Sequence, residues 1–375
     1  MPVTDRYVIR GMNEKLVLQT IIRLDTISRA EISKETLLNK ATVSSIAADL
    51  LERKLILELG EGRSSGGRKP ILVRFNHEAG IAVSIDLRPD RICLLFTYLN
   101  GNVMLEETLP RMEMNNASII HTILEFFKNN TDKLPPTPYG IIGISLAIHG
   151  IVNEGAIAFS PFYELDTKEL QEELAQQLEL PVFLENEANL GALGEKYFST
   201  PSSNLISINV KYGIGAGIIL NNELFTGANG FAGEVGHMIA VPNGLPCPCG
   251  NHGCLEQYTS EYKLLHRYVE ENMSERFKLK ILMEDYEKAV PRAVEMIEEF
   301  TDYLAIGLNN LMTAFNPSVI VINSRLVDQP NILRLTKSKL TYRLNGRTMI
   351  KSSFLHEKAI LLGGVHIVCE RFLGI

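Results

Sequence analysis

Apolar residues recur at helical spacing through the first fifty positions. Within residues 13–24, Val17, Ile21 and Leu24 share one face, which predicts a helix. Ser28-Arg-Ala-Glu31 has the spacing of a capping box, so a second, short helix is expected from there to about Thr36. Leu37-Leu38-Asn39-Lys40 reads as a tight connection. A third helix is expected over Ala41–Leu51, with Val43, Ile46, Ala47 and Leu50 inward and Lys40, Thr42, Ser44 and Ser45 outward near its start. Short helix, turn, short helix, with small polar residues at the exposed start, is the layout of a helix-turn-helix reader of DNA. Short hydroxyl side chains let the backbone come close to phosphates and base edges.

Two strands are expected next, at Leu55–Gly60 and Ile71–Phe75. The loop between them carries Arg63, Arg68 and Lys69 among glycines. That suits a wing reaching a phosphate backbone or minor groove. A solvated hairpin with incidental charge is the plainer alternative. Residues 1–75 are therefore expected to form a winged helix-turn-helix DNA-binding domain.

After residue 75 the pattern changes to strands alternating with helices, the mark of an α/β body. Ile81–Leu87 is an apolar strand. Cys93–Tyr98 and Val103–Thr108 read as hairpin partners around the turn Asn100-Gly101. Helices are expected at Ala117–Lys128, Gln171–Leu178 and Ala188–Phe198, and strands at Gly140–His149, Val182–Glu185 and Leu205–Lys211. A largely helical half follows, with a buried strand at Ser318–Asn323. No internal repeat or low-complexity tract is evident. Gly213-Ile-Gly215-Ala-Gly217 lets backbone approach an anion closely, but a plain hairpin has the same look.

Length and charge refine this picture. At 375 residues the chain is expected to hold two or three domains, and 45% hydrophobic with 22% charged residues is ordinary globular composition. No apolar run approaches the roughly 18 residues that span a bilayer, and the N-terminus has no apolar signal core. A soluble, cytoplasmic protein without membrane partners is expected. Residues 1–75 carry 13 Lys and Arg against 9 Asp and Glu, whereas the whole chain has a net charge of −7. A basic head on an acidic body suits an anionic partner for the head.

The densest chemistry lies between His237 and Glu256. Nine residues separate His237 from Cys247, one separates Cys247 from Cys249, and four separate Cys249 from Cys254. Three thiolates and an imidazole are a closed tetrahedral zinc set of the structural kind. Free thiols in a surface loop, or a disulfide, are the alternatives. Such a metal loop would hold Glu234 and Glu256 in place as part of a polar pocket. Cys93 and Cys369 stand in apolar surroundings and are expected to be buried thiols.

The strand ending at Asp86, the run Leu184-Glu185-Asn186-Glu187-Ala188-Asn189, the glycine triplet, Gly233-Glu234-Val235-Gly236-His237 and the cysteine loop through Glu256 together resemble the ROK family of repressors and sugar kinases. The resemblance spans residues 76–375. The head and its Ser-Ser-Gly-Gly-Arg-Lys-Pro loop look most like the xylose repressors of that family. It implies a two-lobed, actin-like or hexokinase-type body, with lobes at 76–190 and 191–375 and a C-terminal helix that can return to the first lobe. It implies a sugar cleft lined by Asn186, Glu187, Glu234, His237 and Glu256, and zinc on His237, Cys247, Cys249 and Cys254.

Departures from the kinase pattern favour a sensor over an enzyme. Where the kinases resemble one another in Asp-x-Gly-Gly-Thr around ATP phosphates, this chain has Asp86-Leu87-Arg88-Pro89-Asp90. Arg88 and Pro89 remove the backbone freedom of two glycines, and Asp90 sets a negative charge against phosphate. The adenosine-side glycine pair is replaced by Val321-Ile322-Asn323-Ser324. The position of the catalytic aspartate holds Glu187, whose extra methylene moves the carboxylate by about 1 Å. The expectation is a homodimer, or a tetramer built of two such dimers, that binds palindromic operator DNA and is released by a sugar in the cleft, with xylose suggested by the resemblance alone. The rivals are an active sugar kinase with a DNA-binding appendage, and a repressor controlled by another sugar or by a protein partner.

Overall fold

The computed structural model describes residues 6–61, 71–89, 91–110, 113–153, 155–160, 162–269, 273–340 and 347–375. The head contains α1 (Arg6–Leu24), β1 (Thr26–Ser28), α2 (Arg29–Thr36), α3 (Lys40–Glu52), β2 (Ile56–Glu61) and β3 (Ile71–Phe75). Val17, Leu18 and Ile21 of α1 pack on Ile32 of α2 and on the inward face of α3. The strands form a sheet of order β1-β3-β2, so the β2–β3 hairpin follows the helix-turn-helix as a wing does.

The body opens with β4 (Ile81–Leu87), β5 (Ile92–Tyr98), β6 (Val103–Leu109), α4 (Asn116–Asn130), β7 (Ile141–Ile148), β8 (Ile151–Asn153), β9 (Ala156–Phe159), α5 (Thr167–Leu178), β10 (Val182–Asn186) and α6 (Glu187–Phe198). It continues with β11 (Leu205–Val210), β12 (Ile214–Leu220), β13 (Glu223–Leu224), α7 (Glu256–Thr259), α8 (Glu261–Tyr268), α9 (Glu275–Glu287), α10 (Pro291–Phe315), β14 (Val319–Asn323), α11 (Pro330–Ser338), β15 (Met349–Ser352) and α12 (Lys358–Leu373).

Two five-stranded sheets result, of order β10-β7-β4-β5-β6 and β15-β14-β11-β12-β13. Each is an antiparallel meander followed by two strands added in parallel on the far side of its first strand. The two sheets thus repeat one topology, a duplication that the sequence does not display. The first strands of both are almost wholly buried, which explains why they read as apolar runs and not as alternating ones.

Helices α6 and α12 join the two halves. A Cβ on Gly194 would lie 1.9 Å from the Ala359 carbonyl oxygen, and one on Gly363 would lie 1.8 Å from that of Leu190. Only glycine allows two helix backbones to come this close. On its other side α12 lies on β4 and β7, where a Cβ on Gly364 would meet Ser84 Oγ at 2.2 Å. Its Leu361, Leu362, Val365, Val368 and Cys369 belong to the same apolar cluster as the core of the head. Tyr139 Oη donates to the Arg53 carbonyl (2.8 Å) and Asn76 Nδ2 to that of Lys54 (2.8 Å), which pins the end of α3 to the first lobe.

Candidate functional site

In the head, Ser28 and Glu31 complete the expected box. The Glu31 amide donates to Ser28 Oγ (3.2 Å) and the Ser28 amide to the Glu31 carboxylate (2.9 Å). The Ser28 hydroxyl (2.7 Å) and the Ser28 amide, both donating to the Glu31 carboxylate, hold it below its usual range. Asn39 Oδ1 accepts from the Thr42 amide (2.8 Å) and caps α3. With Val43, Ile46, Ala47 and Leu50 buried, α3 presents Lys40 and Ser45 fully and Thr42 and Ser44 partly. Leu37, which patterning placed in a plain connection, is 90% exposed at a left-handed φ of 58°. An apolar tip at that corner is the kind of group that packs on a thymine methyl. Arg63, Arg68 and Lys69 lie outside the described residues.

The zinc set converges. Its four ligand atoms lie within 4.8 Å of one another. Cys249 Sγ is 3.7 Å from Cys254 Sγ, and Cys247 Sγ is 3.6 Å from His237 Nδ1. Zinc–sulfur bonds of about 2.3 Å in a tetrahedron separate sulfurs by about 3.8 Å, so the residues fit the metal. A disulfide is ruled out, since all five thiols are free. His237 turns Nδ1 to the sulfurs, which leaves Nε2 facing Glu234 Oε2 at 3.8 Å. Glu256 Oε1 lies 3.3 Å from Cys247 Sγ and accepts from Lys263 Nζ at 3.3 Å. A metal here would hold Glu234 and Glu256, both expected cleft acids, in place.

The other expected cleft residues meet at the junction of β10 and α6. Asn186 Oδ1 caps α6 through the Ala188 and Asn189 amides (2.8 and 3.0 Å). Its Nδ2 donates to Glu187 Oε2 (2.9 Å) and to the Gly150 carbonyl (2.7 Å). Burial pushes the Glu187 carboxyl up to about 7; His149 opposes the shift, and Glu234 and Asp86 add to it. Burial and the neighbouring Glu256 likewise raise Glu234, against the pull of His237. Glu187, Glu234, His237 and Glu256 therefore form one continuous acidic wall. The glycine triplet packs closely against this wall and against α6. A Cβ on Gly213 would stand 3.1 Å from Glu256 Oε2, and one on Gly217 would stand 2.3 Å from the Ala188 carbonyl.

Sequence reasoning missed the opposite wall. Asp86 is fully buried and accepts from Arg88 Nε (2.7 Å) and from His149 Nε2 (2.7 Å). Arg88 and Arg91 also donate to Glu357 Oε2, while Lys211 Nζ reaches Glu357 Oε1 at 3.1 Å. Burial pushes both carboxyls of the cluster up. The Arg88 and His149 charges nonetheless hold Asp86 far below the carboxylate range, and Lys211 and Arg88 hold Glu357 at about 2. Arg88, the residue that displaces a glycine of the phosphate turn, is thus locked into a charge cluster. That cluster ties the first sheet, the β11–β12 turn and the start of α12 together. Glu357 stands 269 residues from Arg88, too far for any local pattern to pair them.

The model of the ROK family matches residues 82–370. This chain belongs to the ROK family. The xylose repressor of Bacillus spizizenii is 35% identical over 392 residues, covering 100% of this chain and 99% of that protein. A ROK family transcriptional regulator homologous to the Escherichia coli MLC protein has a solved structure that superposes with a TM-score of 0.84 at 24% identity, over 97% of both chains. A ROK family glucokinase from Streptomyces griseus, solved with glucose and AMPPNP, superposes at 0.65 and 24% identity, over 77% of this chain and 99% of its own. The share left over in the glucokinase comparison is about the size of the head. The ROK body is the two-lobed, actin-like fold expected from the sequence, and its Cys3His loop is the structural zinc site. Among the described residues, no helix of this ROK protein is long and apolar enough to cross a membrane.

Proposed function

We propose that this ROK protein is a sugar-responsive transcriptional repressor and not an enzyme. It divides into a winged helix-turn-helix head (1–75) and two lobes (76–190 and 191–375), with α12 returning to the first. The observation that carries this reading is the full-length match to a xylose repressor, head included. The fate of Arg88 supports it. The residue fills the place of a phosphate turn and is held there by Asp86 and Glu357. The protein acts in the cytoplasm as a homodimer on a two-fold operator, with Lys40, Thr42, Ser44, Ser45, Arg63, Arg68 and Lys69 at the DNA. Xylose enters the cleft against Asn186, Glu187, Glu234, His237 and Glu256, and it binds best to a lobe arrangement that sets the heads out of register. Linkage then requires a coupling of about 1–3 kcal/mol between sugar and DNA.

The test is fluorescence anisotropy on duplex DNA from upstream of the gene, at about 150 mM salt, where phosphate contacts are partly screened. Tight binding that millimolar xylose releases is the expected result. Saturating xylose that leaves operator affinity unchanged would overturn the reading. In the same assay Lys40→Ala is expected to weaken binding and to lower the salt slope by about 1, as loss of one phosphate contact does. An unchanged slope would remove Lys40 from the interface.

Sugar affinity is also expected to depend on pH through Glu187. The ionised carboxylate accepts from hydroxyls and the protonated form competes with them, so affinity rises as pH passes upward through about 7. If only the ionised form binds, affinity changes by about tenfold between pH 6 and pH 8. Titration calorimetry at both pH values, on the wild type and on Glu187→Gln, checks this. A gradient that persists undiminished in the variant would assign it to another group.

Glu187 favours one rival. A carboxyl near neutrality suits a general base, as in a kinase. Measurable ATP turnover with xylose would establish that alternative.

A further inference from the structure

We propose that His149 is a sugar contact in the cleft, bonding a sugar hydroxyl through Nδ1; this rests on the sugar-site reading above. His149 follows directly on β7. The register of β7 with β4 and β10 sets Ile148 opposite both Leu87 and Asn186. The residue therefore stands at the carboxyl ends of three adjacent parallel strands, where open α/β sheets place their ligands.

Its remaining polar atoms are committed. The amide donates to Tyr163 Oη (2.7 Å), the carbonyl accepts from Ser160 Oγ (2.9 Å), and Nε2 bonds Asp86 Oδ1 (2.7 Å). Asp86 also takes the Arg88 guanidinium, so it is a carboxylate that only accepts, and the Nε2 proton is fixed on the Asp86 side. Among the described residues Nδ1 has no hydrogen-bond partner, yet it is not one of the sealed, unpartnered polar atoms. The side chain is 12% exposed, and that exposure opens Nδ1 to the cleft.

The neighbours of that opening suit a sugar. Asn186 Nδ2 donates both to the carbonyl of Gly150, next to His149 (2.7 Å), and to Glu187 Oε2 (2.9 Å), so His149 and the acidic wall are neighbours. Phe162 meets the ring edge to face at 6.5 Å, meets Tyr212 of the other lobe at 6.1 Å, and is 40% exposed. A sugar offers hydroxyl edges to polar groups and a C–H face to an aromatic ring. A hydroxyl can pair with Nδ1 whether the ring is neutral or charged, since it both donates and accepts.

Calorimetry with D-xylose and its monodeoxy analogues tests this on the full-length protein. His149→Ala is expected to weaken xylose by about tenfold or more, the scale of one hydrogen bond to a buried polar site. His149→Gln carries its amide out to the reach of Nε2, so it keeps a donor for Asp86 but has no polar atom at the place of Nδ1; it should melt like the wild type and bind xylose as the alanine variant does. The deciding readout is the analogue profile. In the wild type one deoxy sugar should bind at least tenfold more weakly than xylose, and in both variants that difference should vanish. A purely structural histidine would weaken every sugar alike and leave the profile unchanged, which would overturn the contact while sparing the sugar site. A wild type that binds no xylose would overturn the site and the contact together.

Discussion

Cys249→Ser is expected to empty the zinc site and to abolish most of the sugar response. Cys249 is exposed, so the exchange has almost no packing cost and reports on the metal. With three ligands left, metal content should fall from one per chain to near none, because structural zinc needs its closed tetrahedral set. Structural zinc contributes about 10–16 kcal/mol of apparent binding energy in small zinc-dependent folds, far more than a surface loop can replace. Without it His237 loses its fixed orientation, and Glu234 and Glu256 lose the loop that aims them. The concentration of xylose needed to release operator should rise by more than about tenfold, the change expected from loss of at least one oriented polar contact. Operator binding without sugar should partly survive, since among the described residues the core of the head and the metal loop lie in different clusters. Full metal content together with normal release would refute the scaffold role of zinc.

Gly363→Ala should be the most damaging single methyl at the crossing of α6 and α12. The added Cβ would stand 1.8 Å from the Leu190 carbonyl oxygen and 2.6 Å from its carbon, both backbone atoms of α6. Backbone cannot rotate away as a side chain does, so α6 and α12 must part. Overpacking a well-filled site costs about 1–3 kcal/mol, and a backbone clash belongs at or above the upper end. At about 2–4 °C per kcal/mol for a body of this size, the melting temperature should drop by about 6 °C or more. Gly191→Ala on α6 is the control. Its nearest neighbours are Ser207 Oγ at 3.9 Å and Ile360 Cγ1 at 4.0 Å, so the methyl fits, and alanine should stabilise the helix by up to about 1 kcal/mol. Equal melting of the two variants would refute the close crossing of α6 and α12.

What the sequence revealed depended on distance along the chain. The head was legible because its signals are local: a box spanning Ser28 to Glu31, and four buried residues of α3 at helical spacing. The zinc set was legible because four ligands fall within eighteen residues. The duplicated sheets were not, since paired strands of the two halves share a place in the topology and not a residue pattern. Met349–Ser352 passed unnoticed as β15 because it is short and only Ile350 of its four residues is buried. The glycines at 213–217 suggested an anion; the close approach of α6 and Glu256 that they permit is carried by no local pattern. His149 and Glu357 were invisible as site residues because their partners come from remote segments.

The apolar seam between the head and α12 has a thermodynamic consequence. Val43, Leu50 and Val73 of the head share one continuous cluster with Leu95, Leu361 and Val368 of the body. Strip the body away and this surface is left in water, so the reader of DNA is no detachable module. Its melting should be a shared, cooperative event with the first lobe. A chimaera that transplants the first 75 residues onto another ROK body must bring matching residues of α12 with them.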